Sequence, residues 1–166
     1  TEQAHRRLGR TGFEVSDVVL GSGRIKGDMG SDLVRLALER GVTYVDTSPD
    51  YSATGSEEAV GRAIAGHRDQ VFLATKFCTP WGHLGAGAPV AQYVGVVEES
   101  LRRLGTDWID VYQLHRRDPA TALEESLEAM HTLREQGKIR VVGTSATPAE
   151  AIVEAQWIAE RRGSAR

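Results

Sequence analysis

Gly41-Val42-Thr43-Tyr44-Val45-Asp46-Thr47-Ser48-Pro49-Asp50-Tyr51 is the stretch on which the fold turns. Gly41 stops a helix, and Val42 to Thr47 reads as a short buried strand with a carboxylate near its end. Ser48-Pro49-Asp50 then turns the chain, and Tyr51 follows on the loop. A carboxylate at a strand end with a phenol on the next loop suits proton transfer better than a core.

The same unit recurs on both sides. Upstream, Val18-Val19-Leu20 is an apolar strand ending in Gly21-Ser22-Gly23. Ser31 is expected to cap a helix from Asp32 to Arg40, with Leu33, Leu36 and Ala37 on one face. Downstream, Ser56 is expected to cap a helix that carries Glu57 and Glu58 in its first turn and stops at Gly66. Val71 to Lys76 is the next strand, with its lysine at the C-terminal end. A loop from Thr79 to Pro89 holds Trp81 and His83, and a helix follows with Val90, Val94, Val97, Leu101 and Leu104 in register. Trp108 to Leu114 is the fourth strand, closed by His115. Leu123, Leu127, Met130 and Leu133 mark the next helix, and Ile139 to Gly143 the fifth strand. Thr147-Pro148-Ala149-Glu150 has the form of a capping box for a last helix. Ahead of all this, Arg7 to Val15 reads as a hairpin whose turn is bracketed by Gly9 and Gly12.

A hairpin followed by five strand–helix units implies a parallel sheet with right-handed crossovers. An open doubly wound sheet and part of a (β/α)₈ barrel both fit. Each gathers ligand chemistry at the C-terminal strand ends, so Asp46, Tyr51, Lys76 and His115 should meet there.

The 166 residues are 40% hydrophobic and 26% charged, enough for one substantial core. No run approaches the ~18 apolar residues of a membrane span, and the opening residues are not expected to act as a signal peptide. The net charge of −3 and the scattered arginine doublets argue against nucleic acid and anionic membranes as partners. A single cysteine, Cys78, rules out an internal disulfide framework and agrees with a cytoplasmic location. It has no obvious base beside it and reads as a core thiol. His5, His67, His83 and His131 lack metal-ligand spacing, so no metal is expected.

Taken singly, a strand-end aspartate caps a turn about as often as it catalyses, and a strand-end lysine is most often solvated. Together the four residues suit carbonyl reduction by hydride. The oxygen gains negative charge and needs a proton. A tyrosine, with a reference pKa of about 10, is a reluctant acid that a nearby cation assists. Lys76 can supply that cation, Asp46 can hold it, and neutral His115 can hydrogen-bond the carbonyl oxygen.

The chain resembles the aldo-keto reductases over nearly its whole length. Arg7-Leu8-Gly9-Arg10-Thr11-Gly12 is similar to the hairpin that closes the bottom of that family's barrel. Asp46-Thr47-Ser48 with Tyr51, then Gly55-Ser56-Glu57, is similar to its Asp-Thr-Ala/Ser…Tyr-Gly…Ser-Glu block. Glu99 through His115 matches its most specific motif, and Gly137-Lys138-Ile139-Arg140 with Val142-Gly143-Thr144-Ser145 matches the approach to the fifth strand. The resemblance implies one domain over 1–166, a TIM-type parallel (β/α) barrel of which about five of eight units are present, with an N-terminal β-hairpin. It also implies a catalytic tetrad of Asp46, Tyr51, Lys76 and His115, with Tyr51 the proton donor. Gly21, Ser22, Gly23, Asp46, Thr144 and Ser145 would bind the cofactor, NADPH with NADH also open, and Trp81 and Arg116 would line the pocket of a small carbonyl substrate. The chain departs from the family at Ser145-Ala146, where Ser-Asn is usual, and at Ser52, where glycine is common. A full barrel of this kind needs about 250 residues. The sequence is therefore expected to be the N-terminal portion of a longer chain, or to be completed by a complementary fragment or a second copy.

Two other functions compete. A non-catalytic binding or regulatory subunit on the same scaffold, like the family's potassium-channel β-subunits, would keep the fold without turnover. An open Rossmann reductase is suggested by Gly21-Ser22-Gly23, but position 26 is Lys26 where a third glycine is needed. Nor does any tyrosine have a lysine four residues on, as a short-chain dehydrogenase would require.

Overall fold

The computed structural model describes residues 3–77, 90–117 and 120–163. Trp81, Cys78 and His83 lie outside the described residues. The chain opens with an antiparallel hairpin, β1 (His5–Arg7) and β2 (Glu14–Ser16), in the register His5 opposite Ser16. Gly9 and Gly12 take φ values of 51° and 84° in its turn, a backbone region open to glycine at no steric cost.

Five parallel strands follow: β3 (Val19–Gly21), β4 (Tyr44–Asp46), β5 (Phe72–Phe77), β6 (Ile109–Leu114) and β7 (Ile139–Thr144). Each is trailed by a helix: α1 (Gly27–Glu39), α2 (Gly55–Ile64), α3 (Val90–Leu104), α4 (Leu123–Glu135) and α5 (Ala149–Arg162). The strands lie side by side in chain order. A doubly wound sheet reverses its order at a switch point, whereas an unbroken succession is that of a (β/α) barrel wall. Successive helices pack on one another as one outer layer.

Strand side chains alternate between two faces, and that alternation positions the site. Val45, Leu73, Phe77, Tyr112 and Leu114 point to the helix layer and join Val34, Val60, Ile64, Val97, Leu101, Leu104 and Leu133 in its core. Tyr44, Phe72, Ala74 and Val111 point the other way, where Phe13 and Val15 of the hairpin cover them. The Phe72 ring lies 5.1 Å from Phe13 and 5.0 Å from Tyr44. By the same period of two, Asp46, Lys76 and Gln113 continue this inner face toward the C-terminal strand ends. The inner face is thus apolar at its hairpin end and polar at its other end.

Two buried ionic clamps hold layers together. Fully buried Glu57 of α2 accepts from Thr75 Oγ1 at 2.7 Å and Arg103 Nε at 2.6 Å, joining α2, β5 and α3. Asp110 accepts from Arg68 at 2.8 Å, Arg140 at 2.9 Å and the Leu73 N–H at 2.9 Å.

Three expected caps are different in the structure. Ser31 lies inside α1, which begins at Gly27; its Oγ lies 3.2 Å from Gly27 O and 3.0 Å from Ala59 O on α2. A buried serine finds its acceptors in tertiary contacts and in the preceding turn, so it joins two helices where a solvated one would cap. Ser56 follows the first residue of α2 and is likewise drawn into interior hydrogen bonds. Thr147 bonds Ser145 O at 2.9 Å, leaving Pro148 as the cap of α5 without a side-chain bond. On α1 it is Val34 that is fully buried, while Leu33 and Leu36 are exposed along with Met29. Val18 and Val19 at the β3 edge, and Ile152, Val153 and Trp157 on α5, are also exposed, so both margins of the sheet carry apolar surface. No helix among the described residues is long and apolar enough to cross a membrane.

Gly61 sets the approach of α2 to α3. A Cβ there would meet Arg103 O at 2.5 Å and Leu104 Cα at 2.9 Å, both backbone atoms that cannot step aside. Gly61→Ala should lower unfolding free energy by about 1–3 kcal/mol, read as a reduced urea midpoint. An unchanged midpoint would mean that the two helices separate freely.

Candidate active site

The polar end of the inner face begins with Lys76, whose side chain is only 4% exposed. An ammonium so buried needs partners. Its Nζ pairs with Asp46 Oδ1 and donates to Thr47 O at 2.8 Å. The other Asp46 oxygen accepts from Gln113 Nε2 at 2.8 Å. One carboxylate therefore ties together the C-terminal ends of β4, β5 and β6. The lysine nitrogen also lies 4.7 Å from the centroid of the Tyr51 ring, within the range of a cation–π contact.

Tyr51 is delivered by a tight reversal. Its N–H bonds Ser48 O at 3.1 Å, and its own carbonyl accepts from Ser56 N at 3.3 Å. Between them Ser52, Ala53 and Thr54 take φ values of 52°, 51° and 73°, three consecutive left-handed residues without a glycine. Such conformations cost roughly 1–2 kcal/mol each. The turn is held at its far end by a cluster of buried hydroxyls. Ser56 Oγ lies 2.7 Å from Ser22 Oγ and 2.9 Å from Thr47 Oγ1, and Ser22 Oγ donates to Asp46 O at 2.9 Å.

His115 stands one residue past β6, its N–H bonded to Phe77 O at 2.6 Å. Its ring meets that of Tyr51 edge-on, 5.9 Å between centroids at 86°. Its Nδ1 lies 3.3 Å from Asp50 Oδ2 and 3.3 Å from Ser48 Oγ, and Ser48 Oγ–H donates to Asp50 Oδ1. Burial pushes the imidazole pKa below its ordinary value; Lys76 and Arg116 act in the same direction, while Asp50 and Asp46 oppose it. Tyr44, two residues before Asp46, is a phenol of another kind: burial and the Asp46 charge push it up to about 12.

The structure thus brings Asp46, Tyr51, Lys76 and His115 together. Arg116 is exposed beside them, close enough for its charge to act on His115. Trp81 is outside the described residues. Ser22 is fully buried and engaged with Asp46, whereas Gly21 and Gly23 are exposed, with nothing within 4 Å of an added Cβ. Thr144 and Ser145 are half-buried beyond β6, the Ser145 N–H bonded to Leu114 O at 2.8 Å. Sequence reasoning missed Gln113, Ser48 and Asp50 as site residues. The strand period would have placed Gln113 on the inner face, but only the fold sets it against Asp46. Among the described residues no group of His, Cys, Asp and Glu could hold a metal ion. A cavity of about 550 Å³ lined by Arg35, Val42, Arg62 and His67 lies at the opposite strand ends and shares no residue with this cluster.

The Aldo/keto reductase family profile matches residues 18–164. The chain belongs to that family. It is 46% identical over 147 residues to aldo-keto reductase YhdN of Bacillus subtilis (strain 168), a match covering 81% of this chain and 44% of the relative. It is 42% identical over 112 residues to methylglyoxal reductase YeaE of Escherichia coli (strain K12), covering 68% of this chain and 37% of the relative. Among solved structures, the holo form of aldo-keto reductase AKR11C1 from Bacillus halodurans superposes with a TM-score of 0.84 at 30% identity, covering 92% of this chain and 53% of that one. The chain spans about half the length of the reductases it matches. The barrel expectation agrees with these neighbours, whereas a Rossmann sheet does not.

The left-handed turn after Tyr51 makes a direct test of strain. Ser52→Gly removes the Cβ from a residue at φ 52° and should stabilise the chain by about 0.5–1 kcal/mol in chemical denaturation. A loss of stability would show that the Ser52 side chain contributes more than its backbone costs.

Proposed function

We propose that this chain carries the proton-transfer site of a carbonyl reductase, in which hydride reduces an aldehyde or ketone to an alcohol and Tyr51 donates the proton. The observation that carries the reading is the buried Lys76 ammonium, held by Asp46 and set against the face of Tyr51. As the carbonyl oxygen takes up negative charge, the Tyr51 hydroxyl gives it a proton. The phenolate left behind faces a fixed positive charge, which lowers the cost of its formation. Asp46 keeps the ammonium oriented, and Gln113 keeps Asp46 oriented. His115 then contacts the same oxygen and fixes its position beside the phenol.

A nicotinamide dinucleotide, when bound, supplies the hydride. Of the residues expected to hold it, Gly21, Gly23 and Ser145 fit the group, while Ser22 and Asp46 are committed to the hydrogen bonds already described. Gly21 and Gly23 leave open space at the end of β3, and the Ser145 hydroxyl at the end of β7 can bond a carboxamide. Ala146 offers no side-chain amide, so Ser145 would carry that contact. We assign NADPH as the cofactor, with NADH as the alternative. Similarity to a protein named methylglyoxal reductase supports a small carbonyl compound as substrate, and exposed Arg116 would border it.

Consumption of NADPH with nitrobenzaldehyde tests the assignment. Tyr51→Phe should lower kcat/KM by roughly 10²–10⁴-fold, the usual weight of a positioned general acid. Consumption that survives the substitution unchanged would remove Tyr51 from the acid role.

A further inference from the structure

The hydrogens around His115 can be counted. The hydroxyl of Ser48 has one hydrogen, and it is given to Asp50 Oδ1. What Ser48 presents to the imidazole is therefore a lone pair. The second Asp50 oxygen, 3.3 Å from Nδ1, is a carboxylate oxygen and also only accepts. Nδ1 thus faces two acceptors at 3.3 Å and no donor. Were it unprotonated, three lone pairs would crowd one another in a setting where the histidine side chain is only 11% exposed. Among the described residues Nε2 has no hydrogen-bond partner, so nothing there competes for the proton.

We infer that Asp50 is a positioning residue that holds neutral His115 in its Nδ1–H tautomer, leaving Nε2 as the bare nitrogen. The consequence for turnover rests on the carbonyl reductase reading; the tautomer does not. A carbonyl oxygen only accepts hydrogen bonds, so neutral His115 in this tautomer cannot donate to it. Only the imidazolium, with Nε2 also protonated, can. An alcohol can donate, and it would bond the neutral form through Nε2. The protonation state of His115 therefore selects between carbonyl and alcohol at one position. This revises the simpler expectation of a neutral His115 donating to the carbonyl.

The direction with pH follows from the groups facing the ring. Burial lowers the pKa, and Lys76 from β5 and Arg116 beside it lower it further; Asp50 on the loop and Asp46 on β4 raise it, and the Tyr51 ring packs perpendicular to the imidazole. The net shift is downward, so the imidazolium is lost on the acidic side of the ordinary histidine range of about 6.5. Carbonyl KM should climb as pH rises through that titration, approaching about tenfold per pH unit, since one proton is linked to binding. Alcohol KM should fall over the same interval.

Long-range ¹H–¹⁵N correlation spectra of the ¹⁵N-histidine-labelled chain decide the tautomer without cofactor or substrate. His115 is assigned by the cross-peaks that vanish in His115→Gln. Above its titration, the expected pattern is a protonated Nδ1 and a bare Nε2. A proton on Nε2 would overturn the inference. Asp50→Asn, whose amide nitrogen can donate to Nδ1, should move the proton to Nε2 and flatten the pH dependence of carbonyl KM. Ser48→Ala, which leaves the carboxylate in place, should keep the Nδ1–H pattern. A chain that consumes no NADPH would refute the reductase reading and leave the spectrum to stand, and the converse also holds.

Discussion

A lysine ammonium that the fold buries at the end of a parallel strand governs the arrangement around it. Desolvating such a charge without partners would cost several kcal/mol, enough to threaten a domain of ordinary stability. Lys76 meets the requirement with one carboxylate and one carbonyl from the adjacent strand, Asp46 and Thr47. Asp46 is in turn completed by Gln113 from the strand on the other side. These contacts need a fixed stagger of the three strands, and the register supplies it: Asp46 stands opposite Ala74, two residues before Lys76, and Lys76 stands opposite Gln113. A slip of one residue would turn each polar group into the helix layer. The polar end of the inner face is therefore a register lock as well as a candidate site. Its stabilising effect is conditional, because removing either charged member leaves the other buried and unpaired.

The opposite end of the same face is governed by a different constraint. There the strands present Tyr44, Phe72, Ala74 and Val111, which need cover from water on the side away from the helices. The hairpin supplies Phe13 and Val15 for this purpose. Chemistry is thereby confined to one end.

Much of this was legible in the sequence because it is periodic or local. Glycines at 41, 66, 105 and 137 take positive φ where helices were expected to stop, and the strand–helix alternation follows from them. Asp46, Lys76 and His115 stand at strand ends because polar residues close apolar runs, and that much can be counted along the chain. What could not be counted is which strands are neighbours. Spacing alone left a barrel wall and a doubly wound sheet equal, since both alternate; the unbroken strand order separates them. The helix starts failed for a related reason. Ser31 and Ser56 have the chemistry of caps, but each is buried, and a buried hydroxyl is claimed by whichever acceptor the packing brings closest. Gln113 and Asp50 were passed over because their partners, Asp46 and His115, are both 65 or more positions away in sequence.

The left-handed segment after Tyr51 connects these levels. Tyr51 must lie over Lys76, while Ser56, five positions on, must reach Ser22 and Thr47 beneath the strand ends. A right-handed path of the same length would continue as a helix and carry the phenol away from the lysine. Three residues at positive φ reverse the chain within that span and place a helix start directly after it. The strain is tolerated because both ends are fixed by groups that cannot relax: a buried ammonium on one side and a closed set of hydroxyls on the other. Glycine in the turn would reach the same path with less strain but would leave the unfolded chain freer. The serine at position 52 thus exchanges folded-state strain for a stiffer loop. The position of the phenol follows from the hydroxyl-bound end of the turn together with the contacts its ring makes with Lys76 and His115.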